Sequence, residues 1–168
     1  MKFFIVAATI FLGLIFQGHA QDTIIKSPHL DSLIFARINV YRAQVGVPAI
    51  KTFENGPMRK ISYALTEANS NRKFIEHSSG DKLFVGYNSE CIFKVTTNGG
   101  VPGDLTESDL KNLANTVVQA WIDSPNHYWI ISCSLAEVAT VTTVIKKHGK
   151  NLSITASYHA KNKKVQFH

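Results

Sequence analysis

The sequence predicts one α+β domain with helices packed around a central sheet. Three observations predict it. Three separate stretches repeat apolar residues at intervals of three and four, the pattern of amphipathic helices. Two stretches near the C-terminus carry strand patterns, one rich in valine and threonine and the other alternating apolar and polar residues with a period of two. The helical stretches precede this strand-rich end, with no internal repeat, low-complexity block or linker between them.

Taken in order, the chain opens with Met1 and Lys2 and a short apolar run from Phe3 to Phe16, followed by the small residues Gly18 and Ala20. The run is shorter than the roughly 20 residues a membrane anchor needs, so residues 1–20 read as a cleaved secretory signal. No later segment is apolar enough to span a membrane. Residues 21–168 suffice for one domain with its own core.

A first helix is expected after Ser27-Pro28, a good cap followed by a residue suited to the first helical position. Its apolar stripe is Leu30, Leu33, Ile34, Ile38, Tyr41 and Val45, and Gly46 stops it. Asn55-Gly56-Pro57 starts a second helix, with Met58, Ile61, Leu65 and Ala68 as its buried face and Asn69-Ser70-Asn71 as its end. A loop then leads into a short strand over about residues 83–93, and Gly99-Gly100 marks a flexible connection over residues 96–102. In the third helix, Thr106 and Asp109 form a capping box. Leu110, Leu113, Ala114, Val117 and Trp121 follow at helical spacing, and Ser124-Pro125 closes it. Strands are expected over residues 138–145 and around Leu152–Tyr158, joined by a turn containing Gly149.

Charge and cysteine usage narrow the function classes. Eighteen Lys and Arg against 12 Asp and Glu give a net charge of +6. An exported basic protein can adhere to anionic glycans or lipid headgroups. The Lys146-Lys147 and Lys161-Lys163-Lys164 clusters read as solvated faces, and no nucleic-acid motif is present. Export delivers Cys91 and Cys133 to an oxidising compartment, and two cysteines alone make one intramolecular bridge the simple expectation. Such a bridge would close a loop of about 40 residues and stabilise by about 3–4 kcal/mol. Asn151-Leu152-Ser153 fits the N-glycosylation sequon. Trp121, Trp129, Tyr41 and Phe84 read as core, with Arg42 tying a neighbouring loop.

Three stretches carry a resemblance. The first is Asn39-Val40-Tyr41-Arg42 followed by Gly46-Val47-Pro48-Ala49-Ile50. The second is His77-Ser78-Ser79 followed by Gly86-Tyr87-Asn88. The third runs from Trp121 through Ser124-Pro125 to His127. In this order and spacing they resemble the CAP superfamily of cysteine-rich secretory, antigen 5 and pathogenesis-related proteins, over residues 30–158. The resemblance implies a three-layer α-β-α sandwich. It also implies a central cleft in which two histidines and two glutamates can hold a divalent metal such as zinc.

His77 and His127 match the two histidines. Tyr87 stands at one glutamate position and Ser124 at the other, so both carboxylates are missing, and Ile38 replaces a further family histidine. Zinc usually takes at least three protein ligands, and carboxylates neutralise it and orient its histidines. A site of His77 and His127 alone therefore implies weak zinc binding at most, unless Asp81, Glu90 or Asp123 substitutes.

The same loss argues against an enzyme, since hydrolysis needs a base or activated nucleophile held by an orienting group. The resemblance implies a secreted binding protein with a lipid, sterol or protein partner, in defence, host interaction or reproduction. The alternative is a secreted hydrolase using His77 and His127 as acid–base groups. A third reading places binding on the outer lysine surface instead of the cleft.

Overall fold

The computed structural model describes residues 22–52, 56–78, 87–97, 105–148 and 151–162; the expected leader, Asp81, Phe84 and Gly86 lie outside them. Two long strands form the spine. β4 (Ala136–His148) and β5 (Asn151–Asn162) pair antiparallel from Ala136 opposite Asn162 to His148 opposite Asn151. Their valine, isoleucine and threonine content suits a pleated, packed surface. β3 (Ser89–Thr97) pairs antiparallel with the far side of β5. On the other side of β4, β1 (Thr23–Lys26) pairs antiparallel near one end, and β2 (Lys51–Thr52) pairs parallel near the other. The order is β1-β4-β5-β3. No β1 was expected from the sequence. β3 sits further along than the predicted strand and takes Thr96 and Thr97 from the predicted flexible connection.

The helices begin where their caps place them. Ser27 Oγ accepts from the Leu30 amide at the start of α1 (Pro28–Gln44), and Gly46 follows its end with φ 76°, a conformation that favours glycine. α2 spans Pro57–Asn71. α3 (Glu107–Asp123) has the predicted reciprocal capping box of Thr106 and Asp109. Ser124-Pro125 does not end the helical region. It ends α3 and starts α4 (Pro125–Ile131), because proline's fixed φ suits a first helical turn.

Together these elements make an α-β-α sandwich. α1, α3 and α4 cover one face of the sheet. There Leu30, Ile34, Ile38, Val117, Val118, Trp121 and Ile131 pack on Ala139, Val141, Ala156, Tyr158, Ala160 and Cys91. α2 alone covers the other face, which carries the alternate strand positions.

This placement overturns one expectation. The buried side of α2 is Ser62, Thr66, Asn69 and Ser70, whereas Met58, Ile61 and Leu65 are half-buried and Ala68 is exposed. The helix turns its polar side inward because the sheet beneath it is polar.

Two further residues are corrected. Trp129 is 72% exposed, not core; it lies on α4 with only an edge contact to Tyr128 among its ring contacts. Val45 is also exposed, at the end of the α1 stripe. Arg42 does tie loops, as expected. Fully buried, it donates to the carbonyls of Pro48 (2.8 Å), Ile131 (2.8 Å) and Cys133 (3.1 Å). Between β1 and β2 lies a stretch of the β4 edge that neither strand pairs. There Asp31 accepts from Thr143 (2.7 Å), Arg59 (2.8 Å) and Tyr63, linking the two helical layers around the sheet.

Candidate functional site

β3 is the last strand of the sheet, so its outer edge is where the layers can meet. The chain leaving α2 reaches it from one face and α4 from the other. Asn69 fixes the first approach: its side chain donates to the Glu76 carbonyl (3.1 Å) and accepts from the Glu76 amide (2.9 Å). Lys94 on β3 donates to the carbonyls of Asn69 (3.1 Å), Ser70 (3.0 Å) and Arg72, pinning the end of α2. A lysine suits this position, since the last helical carbonyls carry partial negative charge. His77 follows. From the opposite layer, α4 presents His127, whose backbone carbonyl accepts from the Cys91 thiol (3.8 Å). The rings of His77 and His127 stand with centroids 5.8 Å apart. Two histidines separated by 50 residues, paired first by motif, are thus brought together.

Glu90 organises the site. Its carboxylate points to the α2 face and accepts four hydrogen bonds. Oε1 receives His159 Nε2 (3.0 Å) and Ser78 Oγ (3.1 Å); Oε2 receives His77 Nδ1 (3.0 Å) and the Ser78 amide (2.9 Å). Burial pushes its carboxyl up, but the bonds from His159, Ser78 and His77 outweigh that and hold it down at about 2. The group is therefore ionised at neutral pH. His127 is held below its ordinary value by burial and by the neighbouring His77 charge, against a smaller opposing effect of Glu90.

Behind Glu90 lies a buried relay that the sequence did not single out. His159 is fully buried, and its Nδ1 lies 2.8 Å from Ser62 Oγ. Ser62 Oγ is 2.7 Å from Thr142 Oγ1, Thr142 Oγ1 is 2.7 Å from Thr66 Oγ1, and Thr66 Oγ1 is 2.8 Å from the Ser62 carbonyl. Ser62–His159–Glu90 has the membership of a catalytic triad. Ser62 is 1% exposed, however, so no substrate reaches its hydroxyl.

Other residues expected at the site stand apart from the histidine pair. Tyr87 is buried with its ring 5.5 Å from that of His159, so it packs behind the histidine pair instead of offering an oxygen to it. Ser124 is the junction of α3 and α4, with its carbonyl accepting from the Tyr128 amide (2.8 Å). Asp123 accepts from Gln119 on the α3 surface. The expected Cys91–Cys133 bridge is corrected: both are free thiols, and Cys91 lies in the apolar layer with its thiol on the His127 carbonyl. Asn151 is exposed at the first residue of β5.

For zinc the sequence implies weak binding at most, and Asp81, one of the substitute ligands it offers, lies outside the described residues. Among the described residues no three His, Cys, Asp or Glu side chains are placed to hold a metal. Glu90, the candidate substitute, already has both oxygens occupied, which leaves two imidazoles where zinc usually needs three protein ligands. The donor set does not fit the ion.

Comparison with known proteins adds the fold alone. No family model and no curated protein matches the chain. Among the described residues no helix is long and apolar enough to cross a membrane. Among solved structures the chain is similar to an outer surface protein from Borrelia burgdorferi, with a TM-score of 0.57 and 14% identity over 85% of this chain and 100% of that one.

Proposed function

We propose that the protein is a secreted binding domain of CAP type whose ligand contacts the edge cleft at His77 and His127. The observation that carries this reading is the anchoring of His77. Its ring is fixed by a buried, ionised carboxylate yet 55% of its side chain stays open to solvent. A buried charge with four donors is costly to assemble, and here it orients one exposed imidazole against a second. The leader-like first 20 residues support export, and the structural neighbour's description as an outer surface protein is in keeping with it. A lipid, sterol or protein partner is what the CAP resemblance implies, and a metal is disfavoured because the two imidazoles have no third free ligand among the described residues.

The test is co-sedimentation with phosphatidylcholine vesicles, with and without cholesterol, for the wild type, His77→Ala and His127→Ala. Thermal melts control for folding. Weakening by about tenfold in both variants is the expected result. Equal binding by all three proteins would remove the cleft from the function.

One observation favours a second reading. The Glu90–His77 contact resembles the carboxylate–imidazole pairs that orient general bases, and burial holds the His127 imidazole beside it below its ordinary value. A secreted phosphodiester hydrolase would use these two rings as acid and base. An activity screen on dinucleotide phosphodiesters separates the readings. Turnover lost in His127→Ala would favour the enzyme, and no turnover in the wild type would dismiss it.

A further inference from the structure

A second candidate site lies at the other end of the α2 face, where β4 turns into β5. An open depression of about 390 Å3 is lined by side chains of three adjacent strands. β4 contributes Lys146 and His148, β5 contributes Ser153, and β3 contributes Lys94 and Thr96. Lys146 and His148 are two residues apart on one strand, so both point to the same face. Ser153 is the register partner of Lys146, and Thr96 of Ser153. The alternation of the sheet thus gathers two ammonium groups, an imidazole and two hydroxyls in one hollow.

The hollow already holds an anion of the chain's own. β1 pairs with β4 so that Thr23 lies opposite Lys147, and Asp22, one residue before it, reaches over the depression. Its Oδ2 sits 2.6 Å from Lys146 Nζ and its Oδ1 2.5 Å from His148 Nδ1. One planar carboxylate thus bridges two donors. Lys94 adds charge but no free donor, because its three protons go to the carbonyls at the end of α2. Lys146 keeps a proton beyond those given to Asp22 and Asn71 Oδ1 (3.0 Å). Thr96 donates to Ser153, leaving the Ser153 hydroxyl proton available.

We propose that this depression binds an oxyanion of the phosphate or sulfate type, and that Asp22 is the internal carboxylate such a ligand displaces. A phosphate or sulfate group presents three or four acceptor oxygens to the donors one carboxylate now engages with two. Lys94 neutralises the extra charge. The hollow exceeds the needs of a bare ion and lies in the size range of small-molecule sites, so a sugar carrying the anionic group also fits. The site is distinct from the histidine cleft and does not depend on the function proposed for it.

The test is titration of the 15N-labelled protein with inorganic sulfate, inorganic phosphate and glucosamine 6-sulfate at constant ionic strength, read from amide shifts. Thermal melts confirm that the variants fold. Saturable shifts are expected at Lys146, His148 and Ser153. Lys146→Gln should weaken binding about tenfold, and Asp22→Asn should tighten it about threefold to tenfold by removing the competing carboxylate. If the sulfated sugar binds about tenfold tighter than free sulfate, the natural ligand is sugar-borne; equal affinities assign the site to the free ion. No saturable shift in either wild type or Asp22→Asn up to about 20 mM, or an Asp22→Asn variant that binds no tighter than wild type, overturns the proposal.

Discussion

The two faces of the sheet are both buried beneath their helices, and most of the residues there differ in chemistry. Under α1 and α3 lie Ala139, Val141, Ala156, Tyr158, Ala160 and Cys91; under α2 lie Thr140, Thr142, Thr155, Ser157, His159 and Glu90, all of them buried as well. The same strands supply both sets by alternation. On the first face, removal of apolar surface from water stabilises at about 25 cal/mol per Å2. On the second, each polar group must find a partner merely to offset its desolvation. The apolar face therefore holds the fold together, and the polar face uses part of that stability to fix a charge, Glu90, beneath an exposed histidine.

The comparison breaks first at the apolar face. Trp121 is 1% exposed and packs its ring 6.2 Å from that of Tyr158. Trp121→Ala should cost about 4 kcal/mol in chemical denaturation, through lost burial and the cavity left behind. A loss under about 1 kcal/mol would mean that the stability does not reside there.

Next in size is Glu90→Gln, which leaves His159 and His77 without their acceptor charge. It should cost about 3 kcal/mol at neutral pH, with a pH signature the Trp121 variant lacks. The folded carboxyl sits at about 2 against an ordinary 4.5. A depressed value means that the contribution is full above the ordinary value and is lost as pH falls from about 5 toward 2. Wild-type and Glu90→Gln stabilities should therefore converge over that window, in denaturation series at fixed pH. Parallel curves would show that Glu90 is not held ionised.

How much of this was legible in the sequence follows the same division. The α+β class, the caps of α1 and α3 and the hairpin of β4 and β5 rest on local chemistry: Ser27-Pro28, the Thr106–Asp109 box, and valine-threonine alternation. His77 and His127 were paired by motif order, and the structure places their rings together. The inward face of α2 is not legible in the sequence, because an apolar stripe reads as buried by default. Met58, Ile61 and Leu65 make such a stripe, but only tertiary context reveals that the facing strands present Thr140, Thr142 and His159. A signal for this existed. Ser153, Thr155, Ser157 and His159 alternate on β5 without a single long charged side chain, whereas a solvated strand face normally carries lysine or glutamate. Pro125 was read as a stop although proline also begins helices, and the free Cys91 and Cys133 thiols follow from packing that no cysteine count contains.

Within the polar face, the relay distinguishes partnered from unpartnered groups. Ser62→Ala removes one hydroxyl, leaves the buried His159 Nδ1 without its partner and takes one of two partners from the buried Thr142 Oγ1. It should cost about 1–2 kcal/mol. The Thr142→Val variant should cost a similar amount, and the double variant should cost less than the sum, because the Ser62–Thr142 bond is lost in both single variants and is counted only once in the double. Strict additivity in that cycle would show that the two hydroxyls do not act as one network.

The smallest effect carries the opposite sign. Thr155 lies on the same face, fully buried, and its Oγ1 has no hydrogen-bond partner among the described residues. A buried hydroxyl without a partner destabilises the protein by its own desolvation. Valine keeps the β-branched shape that suits the strand while removing the unsatisfied oxygen. Thr155→Val should therefore stabilise by about 0.5–1 kcal/mol, read as a higher denaturation midpoint at an unchanged slope. On the same face and one turn of the pleat away, Ser157 Oγ is in the same state, so Ser157→Ala should also be neutral or favourable. Losses of stability in both would mean that these hydroxyls are partnered in solution, and that the polar face is a more complete network than the Ser62–His159–Glu90 chain alone.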